Sequence, residues 1–167
     1  INPLAQLLGQ DPNTLENIAL RKAGARNATS IWLPQGHTLP RFAADVASPK
    51  ACPLCLEEDG FEQAAWVLRA LMFCPKHGIP LRKQCASCGT KLTWIRGGLM
   101  PCPCFAAAED EPAARPVQDL MRLVTNKVLR SEKFPITTRF PLPFCEMDLT
   151  DTLKVITLLG VSQLDGR

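Results

Sequence analysis

Apolar positions along the chain change period several times, and each change predicts a different element. Leu4, Leu7 and Leu8 fall on one face of a short helix, and Leu15, Ile18 and Ala19 repeat the spacing after Pro12, a residue suited to opening a helix. From Ala25 to Pro49 the pattern breaks down. Pro34, Gly36, Pro40 and Pro49 interrupt every longer run, which predicts an extended connector with a little local structure. Between Phe61 and Phe73, Ala64, Ala65, Trp66, Leu68, Leu71 and Met72 follow one another without glycine or proline, and the stretch predicts a helix. Lys91 to Ile95, ahead of Gly97 and Gly98, reads as a short strand and turn. Residues 109–116 are acidic, rich in alanine and carry two prolines, a linker composition. Val117, Leu120, Met121, Val124 and Val128 then form one helical stripe. Pro135, Pro141 and Pro143 punctuate an irregular segment. A last helix follows, with Leu149, Leu153, Ile156 and Leu159 on one face, Asp148 as its cap and Gly160 as its stop.

These elements predict a small mixed α+β chain, mainly α-helical, with a double zinc-ribbon or zinc-knuckle lobe containing short strands. The expected division is an N-terminal helical segment and connector over 1–50, a double zinc-binding domain over 51–108, a linker over 109–116 and a C-terminal helical segment over 117–167. At 46% hydrophobic and 21% charged, the 167 residues are too apolar for wholesale disorder. No apolar run reaches the length of a membrane span, and the chain opens at Ile1 without a basic and apolar leader, so neither a span nor a secretory signal is expected. The absent start methionine suggests that the chain is part of a longer protein.

Eight cysteines are present, and seven of them join one of the two histidines in four close pairs: Cys52 and Cys55, Cys74 and His77, Cys85 and Cys88, Cys102 and Cys104. A disulfide framework has no use for the histidine. Zinc explains it, because Zn(II) takes thiolate and imidazole together in a closed structural tetrahedron. Glycine directly after the second ligand of a pair suits the tight loop that turns amides toward sulfur, and Gly78 and Gly89 occupy those positions. Two sequential sites are the simplest assignment, and pairing of the first with the third pair, as in RING domains, is the alternative. Two tetrahedra use all eight ligands, so no open catalytic position is expected and the chain reads as a binding protein rather than an enzyme. The zinc-deaminase signature is missing: His37 is followed by Thr38 and Leu39, and Ala51 rather than proline precedes Cys52. Cys145, the cysteine left over, reads as a packed thiol, and His37 as a turn or packing residue.

Charge alters the picture in its distribution more than in its sum. The formal +3 falls to zero once seven thiolates and two zinc ions are counted. No acidic residue lies between Glu62 and Glu109, whereas Lys76, Arg82, Lys83, Lys91 and Arg96 lie within that interval. These five are the candidate DNA contacts, through phosphates and without sequence preference. The competing reading is that they neutralise the thiolate clusters.

The run Cys52-Pro53-Leu54-Cys55 to Gly60, Trp66, Cys74-Pro75-Lys76-His77-Gly78, Leu81, Cys85-Ala86-Ser87-Cys88-Gly89, Leu92 and Trp94 resembles the TniQ/TnsD family of transposon target-site-selection proteins, including those of CRISPR-associated transposons. Gly36-His37 and Pro40-Arg41 upstream, and Phe140 to Phe144 downstream, extend the similarity. After Cys104 the chain departs from the family pattern with Phe105 and three alanines. The resemblance implies an adaptor that links a target-recognition element, a CRISPR effector complex or target DNA, to the AAA+ ATPase that recruits the transposase. It assigns one zinc to Cys52, Cys55, Cys74 and His77 and a second to Cys85, Cys88, Cys102 and Cys104. It also implies a bacterial cytoplasmic protein, in keeping with reduced thiols, with no membrane partner and a possible homodimer. The reading that competes with the adaptor is an independent two-zinc DNA-binding regulator.

Overall fold

Pro53, Pro116 and Pro143 each stand in the first turn of a helix, where the missing N–H costs nothing because that amide has no intrahelical acceptor. These helices are α2 (Pro53–Asp59), α3 (Arg115–Leu129) and α4 (Leu142–Glu146). They are preceded by α1 (Asn2–Leu8) and followed by α5 (Leu149–Leu164). The computed structural model describes residues 2–14, 21–23, 30–33, 37–106 and 110–164. Leu15, Ile18 and Ala19 of the expected second helix lie outside them, although residues 12–14 are helical. On α1, Ala5 is enclosed while Leu7 and Leu8 of the expected face are exposed, and the side chain of Leu4 lies outside the described residues.

Within the expected connector from Ala25 to Pro49 the local structure includes two short strands, which pair with a third just before it. β1 (Arg21–Ala23), β2 (Ser30–Leu33) and β3 (His37–Pro40) form an antiparallel sheet in that order, with Ile31 opposite Leu39 and Trp32 opposite Thr38. Strands of three and four residues are too short for period-two alternation to stand out, and their stability comes from cross-strand partners that local pattern does not reveal.

The stretch Phe61 to Phe73 is not an α-helix. Only Ala64–Val67 is helical, as a single 3-10 segment. Its backbone groups are taken by distant chain: Asp45 N donates to Val67 O at 2.7 Å, Arg69 N to Ala43 O at 2.9 Å and Leu81 N to Met72 O at 2.8 Å. The buried Lys50 ammonium donates to Leu68 O at 2.7 Å and to Leu71 O, closing two carbonyls that a helix would have used internally. Tertiary hydrogen bonding overrides a helix propensity of tenths of a kcal/mol per residue.

Leu39, Leu56, Leu68, Leu71 and Phe105 join Met121, Val124 and Leu153 in one core, which also takes in Cys52, Cys55, Cys74 and Cys85. Phe105, where the chain leaves the family pattern, is fully buried. On α3, Met121, Val124 and Val128 are buried and Val117 and Leu120 half-buried, so the expected stripe is the packed face. On α5, Asp148 Oδ1 accepts from Asp151 N at 2.7 Å as the expected cap, and Leu149 and Leu153 are buried. Leu159 is exposed, and the helix continues past Gly160 to Leu164. A lone glycine inside a helix costs only about 1 kcal/mol, and apolar neighbours carry the turn onward. Among the described residues, no helix is long and apolar enough to cross a membrane.

Between α3 and α4 the chain is irregular yet anchored. The Asp119 carboxylate, fully buried, accepts from the backbone N–H and hydroxyl of both Thr137 and Thr138 at 2.8 to 3.0 Å, and Arg122 Nη1 donates to its other oxygen at 3.1 Å. Desolvation alone would raise this carboxyl. The donors of Thr138 and Thr137 outweigh it and hold the group well below the usual carboxylate range.

Candidate metal centres

Two loops of identical design present the second ligand pair of one cluster and the first pair of the other. In the first, Gly78 N donates to Cys74 O at 2.8 Å and Cys74 N to Ile79 O at 2.8 Å. In the second, Gly89 N donates to Cys85 O at 3.0 Å and Cys85 N to Thr90 O at 2.9 Å. Both reversals need a left-handed residue, and Gly78 and Gly89 adopt φ of 74° and 70°. The flanking bridges repeat as well, Phe73 with Pro80 and Gln84 with Lys91. Cys52 is the residue before α2 and Cys55 lies in its first turn, so this helix delivers the remaining pair of the first cluster.

Cys52, Cys55, Cys74 and His77 converge in one group and Cys85, Cys88, Cys102 and Cys104 in another, each with its donor atoms within 4.8 Å of one another. The grouping is sequential along the chain. In the first, Cys55 Sγ lies 3.5 Å from Cys74 Sγ, and His77 Nδ1 lies 3.4, 3.3 and 3.7 Å from Cys52, Cys55 and Cys74. In the second, Cys85–Cys104, Cys88–Cys102 and Cys102–Cys104 are 3.6, 3.4 and 3.5 Å apart. A tetrahedron with metal–sulfur bonds of about 2.3 Å has edges of about 3.8 Å. The donor sets therefore fit a four-coordinate ion of the zinc type, and both clusters can hold a metal ion.

The two differ in exposure. All three cysteines of the first are buried, whereas Cys88 is exposed and Cys102 and Cys104 are half-buried. Hydrogen bonds from Cys52 and Cys55, then from the backbone amides of His77 and Lys76, pull the Cys74 thiol down to about 2 against its burial, and sharing with Cys52 and Cys74 pushes Cys55 up. Thr90 pulls Cys88 down to about 6.

A residue that sequence reasoning passed over stands behind the first cluster. Glu58, one turn beyond Cys55 on α2, places both carboxylate oxygens 3.1 Å from His77 Nε2. Lys76 Nζ lies 2.7 Å from Glu58 Oε2 and 3.1 Å from Asp59 Oδ1. The spacing of Cys55 and Glu58 on one helix was the available signal.

The interval without acids is not without acids in space. Lys76 pairs with Glu58 and Asp59, Arg82 with Asp110 at 2.6 Å, Lys83 with Asp45 at 2.9 Å and Arg96 with Glu62. Arg82 is also buried, its Nη1 donating to Phe105 O at 2.8 Å, which corrects its placement on a phosphate-facing surface. Lys91 is exposed and has no ion pair among the described residues. Cys145, on α4, is exposed rather than packed, and its thiol donates to Phe140 O at 3.8 Å. His37 opens β3, and its side chain lies outside the described residues.

Residues 2–81 match the TniQ family model, a span that includes every donor of the first cluster and none of the second. No curated protein matches the chain.

Proposed function

Because the chain belongs to the TniQ family through residues 2–81, a membership that implies a transposition-associated role in target-site selection, we propose that it is a zinc-stabilised adaptor. In this reading it joins a target-recognition element, a CRISPR effector complex or target DNA, to the AAA+ ATPase that recruits the transposase, and performs no catalysis itself. The family match is the observation that carries the proposal. The two closed donor sets support it, since an adaptor requires rigid surfaces and structural zinc stiffens a lobe whose apolar core would otherwise be small. Cys52, Cys55, Cys74 and His77 hold one zinc ion, and Cys85, Cys88, Cys102 and Cys104 the other. The setting is the bacterial cytoplasm, where thiols stay available for metal.

Pairing of Lys76, Arg82, Lys83 and Arg96 with nearby acids argues for a secondary part for phosphate contacts, with Lys91 the cation best placed to make one. The test is co-sedimentation of the zinc-loaded protein with duplex DNA, with and without the ATP-bound AAA+ ATPase of the same transposon. Sedimentation that depends on the ATPase is the expected result. Sedimentation with DNA alone, falling steeply with salt, would replace the adaptor with an independent DNA-binding regulator.

A further inference from the structure

Resting on the zinc reading of the first cluster, we infer that Glu58 is a positioning residue that commits His77 to ligation through Nδ1. An imidazole offers two nitrogens, and which one binds a metal is set by the hydrogen bond of the other. His77 Nδ1 faces the three sulfurs at 3.3 to 3.7 Å, while Nε2 meets both oxygens of Glu58 at 3.1 Å. A carboxylate only accepts, so Nε2 must carry the proton and donate it, which leaves the Nδ1 lone pair for the ion. The same contact fixes the ring plane and makes the imidazole a stronger donor.

Lys76, the neighbour of His77, points to Glu58 and Asp59 rather than to the ring, so Lys76 stations the carboxylate and the carboxylate stations the imidazole. Cys55 and Glu58 both belong to α2, whose first turn supplies a ligand and whose last turn supplies this support. The helix therefore orders two donors of the cluster, one directly and one through a hydrogen bond. The all-cysteine second cluster contains no histidine, and the device has no counterpart there.

The test compares the zinc-loaded protein with Glu58→Ala, Glu58→Gln and Lys76→Met, measuring the affinity of each site by competition with a chromophoric chelator. Nitrogen-15 NMR of the His77 ring reports which nitrogen is protonated. Removing such a support lowers metal affinity by about 10- to 100-fold in comparable sites. Glu58→Ala is expected to weaken the first site by about that factor and leave the second unchanged within the same molecule. Glu58→Gln, which keeps an acceptor, should recover much of the loss. The wild-type ring should show a protonated Nε2 with Nδ1 on zinc. Equal weakening of both sites, no weakening of either, a loss in Lys76→Met larger than in Glu58→Ala, or Nε2 ligation would each overturn the inference. Failure of the wild-type cluster to bind zinc would instead overturn the metal reading beneath it.

Discussion

Asp119 Oδ2 accepts both the backbone N–H and the hydroxyl of Thr138, each at 2.8 Å, so one buried carboxylate on α3 stations the chain that leads to α4. Substituting Asp119 with alanine removes the buried acceptor shared by Thr137, Thr138 and Arg122 and is expected to cost about 3 kcal/mol in denaturant unfolding of the metal-loaded protein. The carboxyl is depressed in the folded state, so its contribution is fully present above the unfolded carboxylate value. It is lost as pH falls through the lower folded value. The stability difference between wild type and Asp119→Asn should thus stay constant from neutral pH down to about pH 5 and shrink below about pH 4. A difference that grows with acid would contradict the assigned donors.

Exposure of Cys88 against full burial of Cys52, Cys55 and Cys74 orders the loss of metal. Chelator should remove zinc in two phases, the second cluster first. Cys88→Ser should accelerate only the fast phase and Cys52→Ser only the slow one, followed by metal release to a dye. Since four ligand cysteines belong to the core, loss of both ions should also unfold residues 51–105, and structural zinc contributes about 10–16 kcal/mol in units of this kind. A metal-free protein that kept its native NMR dispersion over this region would refute that dependence.

Gly78 and Gly89 perform the same reversal in different surroundings. A Cβ at Gly78 would overlap Gln118 Nε2, whereas one at Gly89 would meet open space. Both alanine substitutions incur left-handed strain of about 1–2 kcal/mol. Gly78→Ala should be the more damaging, and combining it with Gln118→Ala should bring its cost close to that of Gly89→Ala in thermal unfolding. An unchanged gap in the double variant would place the extra cost elsewhere.

Lys50 closes the carbonyls of Leu68 and Leu71 from a buried position. Lys50→Met keeps most of the packed stem but removes the ammonium from Leu71 O and leaves Leu68 O with the Leu71 N–H alone, for an expected loss of about 1–3 kcal/mol in unfolding by heat or denaturant. Backbone amide exchange should quicken first at Leu71 and Leu81, whose N–H groups bond within and across this turn. Uniform quickening across the core would point to general destabilisation instead.

By itself, the sequence determined the features whose physics is local. Ligands with two residues between them, followed by Gly78 or Gly89, build a loop from adjacent residues, the apolar stripe on α3 follows from one helical period, and Asp148 caps the helix it directly precedes. Tertiary structure alone decided the rest, because those outcomes depend on partners far along the chain. Phe61 to Phe73 forgoes a helix to bond with residues 43–45, 50 and 79–81. Lys83 lies in an interval without acids yet pairs with Asp45, thirty-eight residues away. Glu58 meets His77 across nineteen residues only because α2 and the Cys74 loop converge on the same four donors. Local spacing names the atoms that bind, and the fold selects which charges and hydrogen bonds surround them.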